Sequence, residues 1–504
     1  MTEPVPPREI VGQSEAPETS SPSPAADIRR RAFRGIALLG VRGIAIRLIG
    51  LAGNVVLARL LTPEDFGAVA FGLSVIAFMT LLSAGGLGAG LVRRPEAPTV
   101  EELRSLVGLE LAVTAIIGAA VIGVSVWLGG IGDVTAVMIL SLPILAVRVP
   151  ALITLERDLA FGPIALVEAA EVLAYYVWAV VAVLAGFGVW GLATASIVKA
   201  VAGTSILVFR SPAGALKPLF SLRHIRPLLG FGIRFQAVAL AHTVRDQGVN
   251  LGTAAIAGPA TLGLWALASR VLQLPFLLFE SLWRVSYPAI AQLLTAGEDA
   301  KPLIERSVRL ASTATGLVLT PLVSSAPALM VAVFGERWEA ASGVIPPSCL
   351  ALLVGGPISV ATAGYLFAIG RADAVLRSGV LGAVIWFAVA FPLLPLIGVT
   401  AVGVGWLAAG LGEAAVLARA THRETNARFA GQLAVSVTAA SLASTAGWLL
   451  TSKLGETLVS AATGAALGAL GYVLLVFLMR RMLLAELVHL GRRGVRSARA
   501  RKES

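Results

Sequence analysis

Long apolar segments recur along the chain, and short polar or glycine-containing joints separate them. Each segment contains roughly 20 residues, the length at which an α-helix crosses about 30 Å of hydrocarbon. A membrane β-barrel would instead show short segments of alternating apolar and polar residues. The pattern therefore predicts an all-α membrane protein with about 14 transmembrane helices. The predicted spans cover 36–58, 66–91, 106–128, 134–153, 164–185, 190–209, 232–256, 262–283, 310–333, 343–369, 378–396, 401–418, 429–450 and 458–479.

The joints carry residues that end helices or start turns. They include Thr62-Pro63, Gly129-Gly130, Gly186-Phe187-Gly188, Gly258-Pro259 and Gly335-Glu336.

A three-residue motif occurs twice with the same spacing. It consists of an asparagine inside a span, a proline in the following outer turn and a glycine in the next span. The first copy is Asn54, Pro63 and Gly67, and the second, 196 residues later, is Asn250, Pro259 and Gly263. With six spans in each unit, this repeat predicts two pseudo-symmetric six-helix lobes related by an axis along the membrane normal. Two further helices at the C-terminal end would lie outside the repeat.

Basic residues are concentrated in one set of loops and at both ends of the chain, which the positive-inside rule places in the cytoplasm. Both termini are therefore predicted to be cytoplasmic, which requires an even number of spans, with twelve as the main alternative count. The predicted segments are a disordered N-terminus over 1–34, an N-lobe over 35–210, a cytoplasmic linker over 211–231, a C-lobe over 232–418, spans 13 and 14 over 419–479, and a basic cytoplasmic tail over 480–504.

Composition supports a membrane protein and narrows its chemistry. Charged residues make up 14% of the 504 residues, against about 25% in soluble domains. The net charge of +11 comes from residues at helix ends and in short loops, which argues against a nucleic-acid partner. Cys349 is the single cysteine, and the four histidines form no zinc motif, so no metal site or cofactor is predicted. No phosphate-binding glycine-rich loop and no soluble catalytic domain are evident, so we expect a transporter rather than an enzyme.

Arginine within the spans is the most informative chemical feature. A guanidinium keeps its charge in hydrocarbon at high cost, so such residues usually face a bundle interior or an aqueous cavity. This predicts a cationic central cavity suited to an anionic cargo. The arginines inside or at the edges of spans are Arg42, Arg47, Arg234, Arg245, Arg270 and Arg284.

Helical spacing groups these arginines with other polar residues. In span 1, Gly43, Arg47, Gly50 and Asn54 share one face, and in span 8 Arg270 and Gln273 do so. Arg245 either lines the cavity or pairs locally with Asp246, and Arg42 either lines it or anchors at the interface. The candidate cargo-binding residues are Arg47, Asn54, Arg245, Arg270, Gln273, Lys199 and Arg42.

Acidic residues in the spans are candidates for coupling transport to an ion gradient. Glu168, Glu171 and Tyr175 follow helical spacing on span 5, and Arg148 lies at a similar depth in span 4. One interpretation is an interhelical ion-pair cluster that braces the bundle. The other is a proton or sodium site at this cluster. The candidates for ion coupling are Glu168, Glu171 and, on span 7, Asp246.

The run Ala58–Gly67, with sequence ARLLTPEDFG, resembles the first outer turn of Wzx-type bacterial polysaccharide and O-antigen flippases. These belong to the multidrug/oligosaccharidyl-lipid/polysaccharide (MOP) superfamily. Leu87–Pro95, with sequence LGAGLVRRP, resembles the end of their second span and the following loop. The resemblance implies alternating access of two lobes in the bacterial inner membrane. It also implies an oligosaccharide linked to undecaprenyl diphosphate as cargo, with a polysaccharide polymerase and glycosyltransferases as partners.

The predicted cavity and the implied cargo agree in charge. A diphosphate is anionic and arginine can bind it in a bidentate manner, so Arg47, Arg245 and Arg270 could form a diphosphate clamp. A flippase for lipid-linked peptidoglycan precursors is the nearest alternative. A drug or cation exporter of the same superfamily should use acidic cavity residues, whereas basic residues predominate here. A membrane scaffold or embedded glycosyltransferase is a third class, which the short loops disfavour.

Overall fold

The computed structural model describes residues 43, 46–84, 87–221, 223–224 and 226–503, with the backbone alone at 227–239, 482–503 and some other helical positions. The chain divides into two units, 1–45 and 46–504, and the helices α1 to α16 lie in the second. The predicted N-terminal segment over 1–34 and the candidate Arg42 lie outside the described residues.

All regular elements in the described ranges are helices. They are α1 (46–60), α2 (Pro63–Ala84), α3 (Leu87–Arg93), α4 (Val100–Leu128), α5 (Gly130–Ile139), α6 (Ser141–Val147), α7 (Val149–Arg157), α8 (Phe161–Ala182), a π-helical turn (Val183–Phe187), α9 (Val189–Arg210), α10 (Arg226–Thr295), α11 (Lys301–Phe334), a 3₁₀ helix (Glu336–Val344), α12 (Ile345–Ala368), α13 (Ala372–Ile397), α14 (Thr400–Thr425), α15 (Ala430–Leu454) and α16 (Leu458–Glu503).

The all-α membrane architecture predicted from the sequence is confirmed. Within the described ranges, twelve helical segments are long and apolar enough to cross a membrane. One of them, Thr243–Gln273, runs through a break in α10, and the twelve do not include α1. The count of fourteen spans therefore stays a prediction.

Glycines with positive φ end helices at the predicted joints. Gly258, with φ of 81°, separates α10 into two helical segments, and Gly335, with φ of 108°, separates α11 from the 3₁₀ helix. Residues other than glycine rarely adopt such φ angles, because their Cβ atom clashes with the backbone. These joints are therefore set by local backbone geometry.

The predicted span over 134–153 differs from a continuous helix. It consists of α5, α6 and α7, which are separated by single residues at Leu140 and Arg148. Pro143 and Pro150 lie just after these breaks. Proline has no N–H to donate and its ring clashes with the carbonyl four residues earlier, so each proline interrupts the helical hydrogen bonding.

The two copies of the repeated motif pack against each other. A Cβ atom at Gly67 would overlap the carbonyl oxygen of Pro259, and a Cβ atom at Gly263 would overlap the carbonyl oxygen of Pro63. Each glycine therefore lets the backbone of α2 or α10 approach the proline of the other copy. This reciprocal contact is what a pseudo-twofold axis between the two halves would produce.

The turn between α1 and α2 is also packed against the connection between α11 and α12. The indole of Trp338 is fully buried, donates a 2.9 Å hydrogen bond to the Ala58 carbonyl oxygen and packs edge-on against Phe66. Arg59 donates to the Val333 carbonyl oxygen at 2.9 Å. The two halves are thus in direct contact at the end of the molecule where Pro63 and Pro259 lie.

Candidate functional site

A polar cavity of about 150 Å³ lies between α1, α8 and the second segment of α10. Four of the predicted cargo-binding residues line it together. Its lining comprises Ile46, Arg47, Gly50, Leu51, Asn54, Val172, Tyr176, Arg270 and Gln273. Arg47 comes from α1 and Arg270 from α10, so the cavity draws one arginine from each half of the chain.

Helical periodicity explains this lining. Arg47, Gly50 and Asn54 are spaced i, i+3 and i+7 on α1, so they share one face, as the sequence predicts. Arg270 and Gln273 are spaced i and i+3 on α10 and project from one face in the same way. Both α10 side chains are exposed although they line a cavity between helices, so they face open space.

Asn54 is held in place by two hydrogen bonds. Its Nδ2 atom donates to the Gly50 carbonyl oxygen at 2.7 Å and to the Tyr176 hydroxyl at 2.9 Å. The ring of Tyr176 lies against Gly50 and Gly53, where a Cβ atom on Gly53 would overlap it. Small residues on α1 thus allow the aromatic ring of α8 to pack closely and to orient the amide.

A second cavity of about 270 Å³ adjoins the first and shares Asn54, Tyr176 and Arg270 with it. Lys199 on α9 lines this second cavity and is exposed to it. Five predicted cargo-binding residues are therefore distributed over two adjoining cavities. Among the described residues, the basic side chains that line the two cavities are Arg47, Arg148, Lys199 and Arg270.

Arg148 and Glu171 form an ion pair at the edge of the second cavity. Glu171 is buried, and its carboxylate lies where a Cβ atom on Gly203 would be. This geometry matches the bracing interpretation, in which Glu171 of α8 holds Arg148 at the break between α6 and α7. Glu168 is exposed and is not among the residues that line either cavity.

Arg245 lies in a different environment from Arg47 and Arg270. Its guanidinium is 2.8 Å from the Asp246 carboxylate and 3.5 Å from the carboxylate of Glu413 on α14. Arg245 is not among the residues that line the two cavities. Of the two alternatives that the sequence leaves open for it, the structure therefore shows the local pairing with Asp246. The side chains of Arg234 and Arg284 lie outside the described residues.

Two residues that contact the candidate side chains, Tyr176 and Glu413, were not predicted from the sequence. Tyr176 holds Asn54 from a distance of 122 residues along the chain, and no spacing rule relates the two positions. Glu413 is an acidic residue in a predicted span, so the cost of burying charge in a membrane could have identified it.

A family model described as "Polysaccharide biosynthesis protein" matches residues 56–343, which is more than half of the chain. The chain belongs to this family. Its predicted resemblance to Wzx-type polysaccharide flippases is confirmed, it is a multi-pass membrane protein, and its relatives are transporters rather than enzymes.

Two curated relatives are about a quarter identical to the chain over the residues that align. The succinoglycan biosynthesis transport protein ExoT of Rhizobium meliloti (strain 1021) is 24% identical over 296 residues, which are 58% of this chain and 60% of that protein. The lipopolysaccharide biosynthesis protein WzxC of Escherichia coli (strain K12) is 25% identical over 348 residues, or 66% of this chain and 69% of that protein. The alignment with ExoT thus covers less than two thirds of that relative.

Solved structures show the same fold. The lipid II flippase MurJ in an inward closed conformation has a TM-score of 0.66 at 11% identity and covers 89% of this chain and 100% of its own. An inward-facing multidrug resistance transporter of the MATE family, in the MOP superfamily, has a TM-score of 0.56 at 16% identity, covering 77% and 98%. At these identities the similarity concerns the fold alone.

Proposed function

We propose that this protein flips an oligosaccharide linked to undecaprenyl diphosphate across the bacterial inner membrane for cell-surface polysaccharide biosynthesis. The observation that carries the proposal is that Arg47 and Arg270, from the two halves of the chain, line one cavity. The family and the names of ExoT and WzxC support a cargo of polysaccharide biosynthesis.

The cavity residues would divide the cargo head between them. Arg47 and Arg270 would bind the diphosphate, because a guanidinium can donate two parallel hydrogen bonds to phosphate oxygens. Lys199 would add a point charge from the adjoining cavity. Asn54 already uses both Nδ2 hydrogens, so its Oδ1 atom would accept from a sugar hydroxyl. The Oε1 atom of Gln273 would accept from another.

Movement of the two halves would carry the head across while the lipid tail stays in the bilayer. The contact between Gly67 and Pro259 lies at one end of the molecule. Passage of the cargo head through that end would require these two backbones to separate. By the positive-inside prediction this is the outer end, with both termini in the cytoplasm.

A proton or sodium gradient would supply the driving force, with Glu168, Glu171 and Asp246 as the coupling candidates. Glu171 and Asp246 are each paired with an arginine, so any ion they take up must compete with Arg148 or Arg245. A polysaccharide polymerase and glycosyltransferases would act as partners in the same membrane.

The test is headgroup translocation in proteoliposomes. Undecaprenyl-diphosphate-linked oligosaccharide with a labelled sugar is loaded, and its accessibility to an external lectin or glycosidase is followed with and without an imposed gradient. A lipid-linked peptidoglycan precursor and a cationic dye serve as alternative cargoes. Protein-dependent movement of the oligosaccharide lipid, lost on Arg47→Ala, would support the proposal. Movement of the dye alone would assign the chain to the exporters.

A further inference from the structure

An apolar groove of about 470 Å³ runs along the outer face of the contact between α1 and α8. Apart from the Tyr176 ring, the described lining residues are aliphatic or glycine. The lining comprises Ile49, Ala52, Gly53, Val56, Leu173, Tyr176, Val177, Val180 and Val181. Val177 is 61% exposed and Val181 is 59% exposed, so the groove opens towards the surface that a bilayer would cover.

The same two helices form the groove and the polar cavity on opposite sides. On α1, Arg47 and Asn54 face the cavity, whereas Ala52 and Val56 face the groove. Helical spacing places these two sets on different faces of α1. A molecule with a charged head and an apolar tail would therefore find a polar cavity for the head and an apolar groove for the tail on the two sides of this contact.

Tyr176 separates the two spaces and lines both. On the cavity side its hydroxyl accepts the hydrogen bond from Asn54, and on the groove side its ring rests on Gly53. One aromatic side chain held by one 2.9 Å hydrogen bond thus stands between the basic cavity and the apolar groove.

The corresponding contact in the second half is filled differently. There, Phe387 and Phe391 on α13 lie over Gly248 and Gly252 of α10. The two rings stack with centroids 5.3 Å apart. A phenylalanine has no hydroxyl to bond to an asparagine, so Tyr176 gives the α1–α8 contact a polar link that these rings lack.

The geometry points to the α1–α8 groove as the binding site for the isoprenoid tail of the cargo. Tyr176 would lie beside the place where this tail joins the diphosphate head. This inference rests on the proposed function and adds a tail-binding site to it. The occupant follows from continuity: the groove is apolar along its length and meets, at Tyr176, the cavity whose arginines suit a diphosphate.

Photocrosslinking tests the occupant directly. A benzophenone amino acid is introduced at Val177, and in a separate variant at Leu442 on α15, which is also 61% exposed. The full-length protein in liposomes is exposed to radiolabelled undecaprenyl-diphosphate-linked oligosaccharide. We expect labelling at Val177 several-fold above that at Leu442, and unlabelled cargo should compete it away. Equal labelling at both positions, or competition by bulk phospholipid alone, would refute the tail site.

Filling the groove provides a second test. The double variant Val177→Trp/Val181→Trp should slow translocation of the long-tailed cargo by about tenfold or more. Binding of a water-soluble sugar diphosphate, measured by calorimetry, should be unchanged because the cavity is untouched. Leu442→Trp is the matched control and should transport normally.

The two proposals fail in different ways. If the unaltered protein moves no oligosaccharide lipid, the proposed function is wrong. If it does move this lipid and the double variant moves it at the same rate, the proposed function stands and the tail site is wrong.

Discussion

At the scale of single residues, the arginines of the spans differ in their surroundings. Arg47 and Arg270 line one cavity, whereas Arg245 faces Asp246 and Glu413. We expect Arg47→Ala and Arg270→Ala each to lower the translocation rate by about tenfold or more, because each removes a bidentate phosphate donor. Lysine replacements should rescue only partly, since they keep the charge and lose the planar fork.

The control for these variants is Arg377→Ala on α13. The Arg377 side chain is 77% exposed and pairs, at 3.4 Å, with Asp373 one turn away, so its loss should leave transport unchanged. Membrane insertion of all variants is checked by expression level and gel filtration. Wild-type transport by both cavity variants would contradict the diphosphate site.

Variants of the Arg148–Glu171 pair distinguish a structural brace from an ion-coupling site. Glu171→Ala leaves the Arg148 charge without its partner in a largely buried place, which should cost about 3 kcal/mol of stability. The double variant Arg148→Ala/Glu171→Ala should be less destabilised than the sum of the single variants. Thermal unfolding in detergent measures both. If Glu171→Gln instead keeps stability and abolishes gradient dependence, the residue is a coupling site and the bracing interpretation is wrong.

At the scale of helices, close backbone approach governs the contact between α2 and α10. Gly67→Ala would place a Cβ atom on the carbonyl oxygen of Pro259, and a backbone oxygen cannot turn aside as a side chain does. Such overpacking should cost about 1–3 kcal/mol and weaken closure at this end of the molecule. We expect faster labelling of a cysteine introduced at Thr62 by an impermeant maleimide.

The matched control is Gly379→Ala on α13, where a Cβ atom would meet no neighbour within 4 Å. Alanine is also a better helix former than glycine, so this change should be neutral or slightly stabilising. Unchanged labelling in Gly67→Ala would show that the reciprocal contact does not govern closure.

At the scale of the whole molecule, alternating access predicts that α2 and the first segment of α10 must separate. Asn250 Nδ2 donates to the Ser74 hydroxyl at 3.0 Å, so these side chains join the two halves. Ser74→Cys/Asn250→Cys in a Cys349→Ala background should permit crosslinking by oxidation or a short thiol reagent. Crosslinking should stop transport and reduction should restore it. Full transport by the crosslinked protein would exclude movement between these helices.

Some features of this protein follow from its sequence because they depend on neighbouring residues. Apolar length predicts membrane helices, and helical spacing groups Arg47 with Asn54. Gly258 and Gly335 end helices because glycine adopts positive φ without a steric clash. The repeated Pro63–Gly67 motif could be found in the same way. Its consequence, the contact with the second copy, could not, because it joins residues about two hundred positions apart.

Only the tertiary structure decided which charges share a cavity and which neutralise each other. From the sequence, Arg245 could either line the cavity as Arg47 and Arg270 do or pair locally, and in the structure Asp246 and Glu413 both approach it. Tyr176, the residue between cavity and groove, carries no signal in its own segment, because its role depends on Gly53 and Asn54 of a distant helix. Helix formation depends on local hydrogen bonding and hydrophobic length, whereas a binding site depends on which helix faces are packed together.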